Sequence, residues 1–249
     1  MKKQLKISAI IQARMGSMRL PGKVLMTICG KPVLQHIVER LRFSKLIGQI
    51  ILAIPDSEEN DVLEKFALIN HIGCYRGSEH DVLGRMYSAA KENNCNVIVE
   101  VTADKPLIDP VLIDVAIKKH LRKKGHYHFT HYPHQFLPIG LDAGILNFQA
   151  LEVAYKNAKE AYHREHVTSY FYDNPDIFNI SSIDLPKHLE NPSLRLTLDT
   201  EEDFELITKI YEKLYKAEGI FTTKKILDLC KADPELKTIN AHIVQKTRC

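Results

Sequence analysis

The chain is short of the features that mark several large classes of protein. Its 249 residues contain five cysteines, an odd number without any CxxC spacing, and carry a net charge of only +3. So small a charge gives no reason to expect a nucleic-acid partner, and no segment approaches the ~20 apolar residues of a membrane span. An odd cysteine count without paired spacing is typical of a reducing compartment. We therefore expect a cytoplasmic protein without nucleic-acid binding or membrane insertion.

The first residues of the sequence also do not resemble a secretion signal. The segment "MKKQLKISAIIQAR" is basic and then apolar, but its apolar part is short and meets Gln12 and Arg14 at once. A signal peptide needs a longer apolar region, so none is expected. Hydrophobic residues make up 45% of the chain and charged residues 26%, which is typical of a globular protein with a real core.

Short apolar runs alternate with amphipathic stretches in the first half of the chain. Strands are predicted at "KISAII", "QIILAIP" and "NVIVEVTAD", and helices at "PVLQHIVERLRF", "DSEENDVLEKFALI", "DVLGRMYSAAKENN" and "DPVLIDVAIKKHLRKK". This alternation predicts an α/β fold with a doubly wound, mostly parallel sheet. Ligands of such sheets bind beyond the carboxyl ends of the strands, where the loop after Gln12 and the residue Asp104 both lie.

After Gly125 the pattern changes. Strands are predicted at "HYHFTHYP", "LDAGILNF", "FNISSI" and "SLRLTLD", and helices at "QALEVAYKNAKE", "AYHREHVTSYFYDNP" and "TEEDFELITKIYEKLYKA", the last capped by Thr200. No segment has the composition of a linker, so we expect a single domain over residues 1–249. Residues 126–190 are interpreted as a small αβ insertion that forms a lid or a dimer contact, and a homodimer is expected.

The loop "QARMGSMRLPGK", Gln12 to Lys23, follows the first predicted strand and is neither a GxxxxGK[ST] nor a GxGxxG loop. Gly16 and Gly22 allow a ligand to approach the backbone closely. A polyphosphate needs such backbone donors together with fixed cations. The cations present are Arg14, Arg19 and Lys23. The sequence therefore favours a phosphate-binding loop, and a solvated basic loop is the alternative.

The same loop resembles the N-terminal signature of the cytidylyltransferases that activate acidic sugars, the acylneuraminate and 3-deoxy-manno-octulosonate (KDO) enzymes. That signature, roughly ARxxSxRLPGK, stands here as Ala13-Arg14, Ser17 and Arg19-Leu20-Pro21-Gly22-Lys23. Four later segments resemble the family in the same order: "RGSEHDVLGR", "VTADKPLIDP", "REHVTSYF" and "RLTLDTEEDFEL". The chain is most similar to the SpsF-like branch, which is named for spore-coat polysaccharide synthesis.

The resemblance implies a Rossmann-like nucleotidyltransferase fold and a reaction with CTP. An oxygen of an acidic sugar, or of a similar small anionic acceptor, attacks the α-phosphorus; CMP is transferred and pyrophosphate leaves. The implied cofactor is Mg²⁺, and the implied setting is surface polysaccharide synthesis. Such chemistry needs positioning of the reactants and neutralisation of the charge on the phosphates.

Three alternatives stay open at this point. They are another nucleoside triphosphate in place of CTP, a glycosyltransferase of similar shape, and a non-catalytic nucleotide-binding subunit. Glycosyltransferases of this shape commonly carry a DxD metal motif, and the sequence has no DxD anywhere. A non-catalytic subunit can lose its metal-binding acids, whereas both Asp104 and Asp199 are present.

The resemblance assigns Asp104 and Asp199, each of which follows an apolar run, to Mg²⁺. Two carboxylates suit an octahedral Mg²⁺ that keeps several waters, and a helix cap is the alternative for each acid. We expect Arg14 and Lys23 to hold the triphosphate, and these two with Asp104 form the expected catalytic set. Lys105 stands where the SpsF-like branch commonly has a small residue.

The segment "RGSEHD" resembles the loop with which the family reads the base and the sugar. Ser78 and Asp81 fit plain helix caps equally well, and Arg76 and Arg85 fit surface positions as well as phosphate contacts. The expected nucleotide-binding residues are Ala13, Arg14, Gly16, Ser17, Arg19, Gly22, Lys23, Arg76, Ser78 and Asp81.

Residues on the acceptor side are expected in the second half: Asp142, Arg164, Glu165 and His166. The SpsF-like pattern commonly has an acid two residues after Asp142, where this chain has Gly144. The segment "HREH" matches neither HExxH nor HxxEH, so a helix-surface or substrate role is favoured over a metal. Four further histidines share no metal spacing and are predicted to form the polar face of an exposed strand: His126, His128, His131 and His134.

Overall fold

A computed structural model describes residues 5–123, 125, 127–133, 135–216 and 219–245. The elements of the first half are β1 (Ile7–Gln12), β2 (Thr27–Ile28), β3 (Lys31–Pro32), α1 (Val33–Arg42), β4 (Gln49–Pro55), α2 (Asp61–Ile69), β5 (Gly73–Gly77), α3 (Val82–Glu92), β6 (Val97–Thr102) and α4 (Pro110–Leu121). Those of the second half are β7 (His128–His131), β8 (Gly144–Asn147), α5 (Phe148–Asn157), α6 (Ala161–Glu165), α7 (Ser169–Asp173), β9 (Asn179–Ser182), α8 (Glu201–Leu214), α9 (Thr223–Ala232) and α10 (Glu235–Thr238). Short 3₁₀ turns lie at Lys23–Leu25, Glu58–Asn60 and Lys187–Leu189.

Seven strands form one sheet in the order β5-β4-β1-β6-β8-β7-β9, and β2 and β3 form a separate hairpin. The strands β5, β4, β1 and β6 run parallel, while β8 is antiparallel to both of its neighbours. The last residue of β1, Gln12, pairs with Thr102 at the end of β6. The prediction of a mostly parallel α/β sheet is thus confirmed, and the loop after Gln12 lies beside the residues that follow Thr102.

Helices cover both faces of the sheet, as a doubly wound arrangement requires. Successive residues of β1 point to opposite faces, so Ala9 and Ile11 pack into one apolar cluster and Ile10 into the other. The first cluster includes the buried face of α1: Val33, Ile37, Val38 and Leu41. The second is covered by α3 and α5, which contribute Leu83 and Leu151.

Residues 128–182 include three strands of the main sheet, because β8 joins β6 and is followed by β7 and β9. The helices α5, α6 and α7 lie between β8 and β9 in the chain. The interpretation of residues 126–190 as an insertion that forms a lid or a dimer contact stays a prediction. His126 and His134 lie outside the described residues.

The exposed-strand interpretation was wrong for His128. Its side chain is buried, with 2% of its surface exposed, because β7 lies between β8 and β9 and is also covered by α4. The ring of His120 on α4 lies edge-on to it with the centroids 6.2 Å apart. His131 is half-buried and its ring stacks on that of Phe129 at 5.4 Å.

Several elements differ from the prediction. The short strand β5 was missed, because "GCYRG" is brief, flanked by glycine and only partly apolar. The helix predicted over "AYHREHVTSYFYDNP" is two short helices, α6 and α7, with a break at residues 166–168. The segment "SLRLTLD" is extended but is no strand of the sheet. It hydrogen-bonds to two loops instead, since Leu196 donates to Ile139 O at 2.7 Å and Leu198 donates to Asp104 O at 2.8 Å. The helices α9 and α10 were not predicted.

Gly140 permits this close approach of the extended segment. Its φ is +96°, in the left-handed region, and a Cβ at this position would lie 2.5 Å from the backbone N of Thr197. We expect Gly140→Ala to lower the free energy of unfolding by about 2 kcal/mol or more. An alanine would strain the backbone at this φ, and its Cβ would clash with backbone atoms of the extended segment. Chemical denaturation measures the loss. Gly219→Ala is the matched control, since Gly219 has a φ of +112° but nothing within 4 Å of its Cβ position. Equal losses of unfolding free energy in the two variants would show that the dihedral strain alone, and not the clash with Thr197, explains the effect.

Among the described residues, no helix is both long enough and apolar enough to cross a bilayer.

Candidate active site

A cavity of about 340 Å³ opens at the carboxyl ends of β1 and β6. Its walls come from the loop after β1, the residues after β6, the extended segment before α8, and the end of α6. The lining residues are Gln12, Ala13, Arg14, Ser17, Met18, Arg19, Lys23, Val24, Val82, Arg85, Thr102, Ala103, Asp104, Glu165, His166 and Asp199. We call this space the loop cavity.

The loop itself is tethered to the rest of the chain. The amide of Met15 donates to the Asn60 side chain at 2.9 Å, and its carbonyl accepts from the amides of Ser17 at 2.9 Å and Gly22 at 3.1 Å. Gly22 has a φ of +68°, which a glycine adopts without strain, and Lys23 begins a 3₁₀ turn directly after it. These bonds fix the point from which the Lys23 side chain leaves the backbone.

Lys23 and Asp199 meet inside the loop cavity. The ammonium of Lys23 donates to Asp199 Oδ1 at 2.9 Å and to Leu198 O at 2.7 Å, and only 13% of its side chain is exposed. Arg19 lies 3.2 Å from Asp199 Oδ2, and Arg195 donates to the same oxygen at 2.8 Å. Burial opposes ionisation of Asp199, but the positive charges of Lys23, Arg19 and Arg195 outweigh it and hold the pKa of the carboxyl below its ordinary value.

Arg195 is itself held by a buried network. It forms two hydrogen bonds with the carboxylate of Asp203, at 2.8 and 3.0 Å, and Asp203 also accepts from the amide of Asp199 at 2.9 Å. Asn240, near the end of the described chain, donates to Asp203 at 2.8 Å and to Arg195 O at 3.1 Å. Asp203, which lies in the first turn of α8, therefore also orients the segment that carries Asp199.

Asp104 reaches the loop cavity from the other side. The hydroxyl of Thr102 donates to its carboxylate, and its backbone carbonyl accepts from Leu198 N at 2.8 Å and Thr197 Oγ1 at 3.2 Å. The same backbone therefore brings the segment of Asp199 next to Asp104. Neither acid is a helix cap: Asp109 accepts from Val111 N at the start of α4, and Thr200 forms the capping box of α8.

Carboxylate oxygens are suitable ligands for Mg²⁺, and Asp104 and Asp199 line one cavity. No group of three or more His, Cys, Asp or Glu side chains within the described part of the chain is arranged to hold a metal ion. Mg²⁺ commonly uses only one or two carboxylates and takes its other ligands from water and substrate phosphates. The pair therefore fits a Mg²⁺ that enters together with a nucleotide, and does not fit a permanently held structural ion.

Arg85, for which the sequence left a surface position and a phosphate contact open, lines the loop cavity. Its guanidinium is buried, donates to the carbonyls of Ser78 and Glu79, and has an Nε without a hydrogen-bond partner among the described residues. Burial and the nearby charge of Arg14 lower the pKa of Arg85 to about 10. Arg14 lies 3.4 Å from Glu79 and lines the same cavity. A negative ligand would relieve this crowding of positive charge.

A second space of about 160 Å³, which we call the side cavity, adjoins the first and shares Gln12, Thr102, Glu165 and His166 with it. The break between α6 and α7 lies at this shared wall. The other residues that line the side cavity are Glu100, Lys105, Phe129, His131, Asp142, Ala143, Gly144, Val167, Thr168 and Tyr172. Lys105 donates to Asp142 Oδ2 at 2.9 Å. Burial alone would lower the pKa of Lys105, but Asp142, Glu100 and Asp104 outweigh it and raise the pKa, so the amine stays protonated.

Several expected site residues lie outside both cavities. Ser78 Oγ accepts from Asp81 N at 3.1 Å, and Asp81 caps α3 by accepting from Gly84 N at 2.8 Å, so their geometry is that of plain caps. Arg164 lies 3.4 Å from Asp81 and its guanidinium covers the ring of Tyr155 at 5.0 Å. The glycines Gly16 and Gly22 shape the loop but do not line the cavity.

Arg76 also points elsewhere. Its guanidinium pairs with Asp61 at 2.6 Å and Glu64 at 2.7 Å and donates to two carbonyls of the turn before α2. These contacts tie β5 to α2, away from the loop cavity. We expect Arg76→Ala to leave the KM for the nucleotide within about threefold of wild type, because an exposed ion pair remote from a site contributes little to it. Steady-state kinetics check this, and a tenfold rise in KM would show that Arg76 contributes to nucleotide binding.

Comparison with known proteins identifies the family of the chain. A family profile described as "Cytidylyltransferase" matches residues 8–226. An uncharacterised protein of Methanocaldococcus jannaschii is 38% identical over 245 residues, which is 98% of each chain. The spore coat polysaccharide biosynthesis protein SpsF of Bacillus subtilis is 32% identical over 234 residues, covering 92% of this chain and 95% of that protein.

A solved structure gives the same result. The structure of a cytidylyltransferase from Leptospira borgpetersenii superposes with a TM-score of 0.87 at 30% sequence identity, over 94% of this chain and 97% of that one. The resemblance first seen in five short segments therefore extends over nearly the whole chain, including the elements that build the loop cavity. This protein belongs to the cytidylyltransferase family.

Proposed function

We propose that this enzyme transfers CMP from CTP to a small acidic sugar, with Mg²⁺ as cofactor and pyrophosphate as the second product. The observation that carries the proposal is the meeting of the loop cations with Asp104 and Asp199 in one cavity. Cations without acids would suit any phosphate. Cations together with two carboxylates from separate segments suit a nucleoside triphosphate that brings a metal ion.

The loop cavity would bind the triphosphate. Without a ligand, Asp199 neutralises Lys23 and Arg19 across 2.9 and 3.2 Å. Phosphate oxygens compete for the same two cations, while Arg195 keeps its contact with Asp199 from the buried side. Lys23 and Arg19 then neutralise charge on the phosphates, and the tethered loop holds the cations in place, so little reorganisation is needed during the reaction.

Asp104 and Asp199 are the residues that would hold Mg²⁺, which supplies further charge neutralisation on the phosphates. Thr102 orients the carboxylate of Asp104, and the backbone bond between Leu198 and Asp104 sets the spacing of the two acids. In the balanced reaction an acceptor oxygen bonds to the α-phosphorus and the bond from that phosphorus to the oxygen of the β-phosphate breaks. The products are a CMP ester, pyrophosphate and the proton of the acceptor hydroxyl.

The side cavity would bind the acceptor. It touches the loop cavity along Gln12, Thr102, Glu165 and His166, so the acceptor hydroxyl and the α-phosphate would meet at this wall. The resemblance to acylneuraminate and KDO enzymes supports an acidic sugar. The named role of the Bacillus subtilis relative in spore-coat polysaccharide synthesis supports a product used for a surface polysaccharide.

The proposal includes a cytoplasmic homodimer. Free thiols at all four described cysteines suit a reducing compartment: Cys29, Cys74, Cys95 and Cys230. The strand β9 ends the main sheet and leaves an edge on which a second copy can pair. Sedimentation velocity tests the dimer, and a single monomeric species at micromolar concentration would contradict it.

Pyrophosphate release with each of the four nucleoside triphosphates, Mg²⁺ and a panel of acidic sugars tests the reaction. We expect release that depends on both CTP and an acceptor. Faster release with UTP or GTP would overturn the choice of base. A thermal-shift screen adds a reading that needs no acceptor, because a nucleotide at 100 times its Kd stabilises the protein by about 2.7 kcal/mol.

A further inference from the structure

The carboxylate of Asp199 has partners on two sides. Lys23 and Arg19 approach it from the loop cavity, and Arg195 donates to its Oδ2 at 2.8 Å from the buried side. In the proposed function, the phosphates of the nucleotide compete for Lys23 and Arg19. Of these three cations, Arg195 would then keep the carboxylate in a fixed orientation while it binds Mg²⁺. The affinity for the metal therefore depends on what holds Arg195.

Arg195 is engaged on every nitrogen of its guanidinium. Nε donates to Asp203 Oδ1 at 2.8 Å, and one terminal nitrogen donates to both Asp199 and Asp203. The other terminal nitrogen donates to Gln245 Oε1. Only 4% of the Arg195 side chain is exposed. Because the guanidinium is a rigid planar fork, Asp203 and Gln245 together set the direction in which it meets Asp199.

Asp203 is held in turn by five hydrogen bonds from described residues. Its carboxylate is fully buried and accepts two bonds from Arg195, one from Asn240 Nδ2, and one each from the amides of Asp199 and Thr200, at 2.8 to 3.1 Å. A buried carboxylate is costly unless its oxygens are hydrogen-bonded. Loss of one donor would leave part of this charge unsatisfied and allow the carboxylate, and Arg195 with it, to shift.

Asn240 joins this network from a distant part of the chain. Its amide nitrogen donates to Asp203 Oδ1 at 2.8 Å and to the backbone carbonyl of Arg195 at 3.1 Å. The residue is buried, with 3% of its surface exposed. One side chain thus ties both the buried carboxylate and the backbone of the segment that carries Asp199. The family profile ends at residue 226, so the family signature gives Asn240 no role.

The residues around Asn240 are packed in place. Leu236 on α10 is buried in the first apolar cluster, and Ile239 packs against the same cluster. The amide of Ile243 donates to the carbonyl of Asn240 at 3.0 Å, in a turn that leads on to Gln245. Both partners of the Arg195 network are therefore supplied by a segment that is anchored in the core.

We propose that Asn240 is a positioning residue for Asp199, one of the two acids that would hold Mg²⁺. It acts through Asp203 and Arg195, and Gln245 supports the same arginine. This inference rests on the proposed function for the metal and the nucleotide. Groups that orient a metal-binding side chain commonly change metal affinity by about 10- to 100-fold when they are removed. Loss of Asn240 therefore weakens the contribution of Mg²⁺ to nucleotide binding and leaves the contribution of the loop cations intact.

The experiment measures the Kd of the full chain for CTP by isothermal titration calorimetry, once with Mg²⁺ and once with EDTA. The ratio of the two Kd values gives the contribution of the metal without any turnover. Leucine at position 240 keeps the approximate size of the side chain but removes both donors. We expect Asn240→Leu to reduce the ratio by about 10-fold. Its Kd in EDTA should stay within about twofold of wild type, because the loop cations are unchanged.

A purely structural defect gives a different result. Partial unfolding lowers the number of binding sites without changing the ratio of the Kd values. An unchanged ratio in a folded Asn240→Leu protein, or a Kd that rises equally in Mg²⁺ and in EDTA, overturns the inference.

Gln245→Met is a second variant with little risk to the fold, because Gln245 is exposed. It removes the oxygen that accepts from Arg195, so we expect the ratio to fall by about threefold or more. If Asn240→Leu fails to fold, an unchanged ratio in Gln245→Met is sufficient to overturn the inference.

Asn93→Leu is the matched control. Asn93 is a half-buried asparagine that donates to Ala89 O at 2.9 Å and accepts from Gln49 at 2.9 Å, and it lines neither cavity. We expect the wild-type ratio in this variant. A fall equal to that of Asn240→Leu would show that general loosening of the fold explains the effect, which overturns the inference.

Failure of this inference and failure of the proposed function are distinguishable. If Mg²⁺ tightens the binding of CTP to wild type but the ratio is unchanged in Asn240→Leu and Gln245→Met, the proposed function stands and the inference is wrong. If wild type does not bind CTP, or binds it equally well with Mg²⁺ and with EDTA, the proposed function is wrong in its nucleotide or its metal, and the inference is overturned with it.

Discussion

We expect replacement of Lys23 by Met to lower the turnover of CTP by about 10²- to 10³-fold, the loss usual when one preorganised donor to a developing charge is removed. Lys23 is mostly enclosed and lies at the start of a 3₁₀ turn fixed by the loop. Methionine keeps the length and apolar character of the side chain but removes the charge. Because the site is shielded from water, solvent cannot replace that charge. Initial rates of pyrophosphate release at saturating CTP measure the effect.

Lys31→Met is the matched control. Lys31 lies in β3, outside the loop cavity, and its ammonium pairs with Glu39 at 2.7 Å. We expect its turnover to remain within about twofold of wild type, as for other exposed ion pairs. A Lys23→Met enzyme that keeps a third or more of wild-type turnover would show that the leaving phosphates are neutralised by other groups.

Replacing Asp104 by Asn has a comparably large effect, a loss of about 10²-fold or more in turnover, because a neutral amide is a poor ligand for Mg²⁺. The amide oxygen can still accept from Thr102, and the backbone bonds from Leu198 and Thr197 do not involve the side chain. The spacing between this position and Asp199 should therefore persist. Pyrophosphate release measured against Mg²⁺ concentration should show a higher requirement for the ion as well as a lower maximal rate.

Asp184→Asn serves as the control for this substitution, since it makes the same chemical change on a fully exposed side chain. Thermal unfolding by circular dichroism distinguishes a chemical effect from loss of fold. We expect Asp104→Asn to unfold at nearly the wild-type temperature. Near-normal turnover in Asp104→Asn, with the usual dependence on Mg²⁺, would show that Asp104 is not a ligand of the metal.

The parts of the site that come from strands were predictable from the sequence. Apolar runs identified β1 and β6, and the parallel pairing of their ends placed the loop after Gln12 beside Asp104. Residue type then added the chemistry, because cations and a carboxylate at strand ends have few structural uses. The loop cations, Lys23 among them, thus followed from the sequence pattern, whereas the metal role of Asp104 came from the resemblance to the cytidylyltransferases.

Other parts depend on contacts between distant segments that carry no periodic signal. Asp199 lies on an extended segment that pairs with loops and not with a strand, so its apolar pattern predicted a strand that does not form. The network of Arg195 and Asp203 is completed by Asn240, 45 residues after the arginine. No local pattern indicates such a partner.

The side cavity was the least predictable region. Its rings come from β7 and α7, and its carboxylates from β6, the segment before β8 and the end of α6. The polar letters of "HYHFTHYP" predicted an exposed face, but β9 and α4 cover the strand and bury His128. Only the assembled structure brings Phe129, Tyr172 and Glu100 into the lining of one cavity.

Transfer of label from CTP to the acceptor tests the central claim most directly. The enzyme is incubated with Mg²⁺, a panel of acidic sugars, and CTP labelled with ³²P at either the α- or the γ-position. The account predicts that the α-label appears in a sugar product and the γ-label in pyrophosphate, in equal amounts, and that Asp104→Asn slows the appearance of both by about 10²-fold or more. Appearance of the γ-label in the sugar product, or an α-label that stays in CTP with every acceptor, would contradict it.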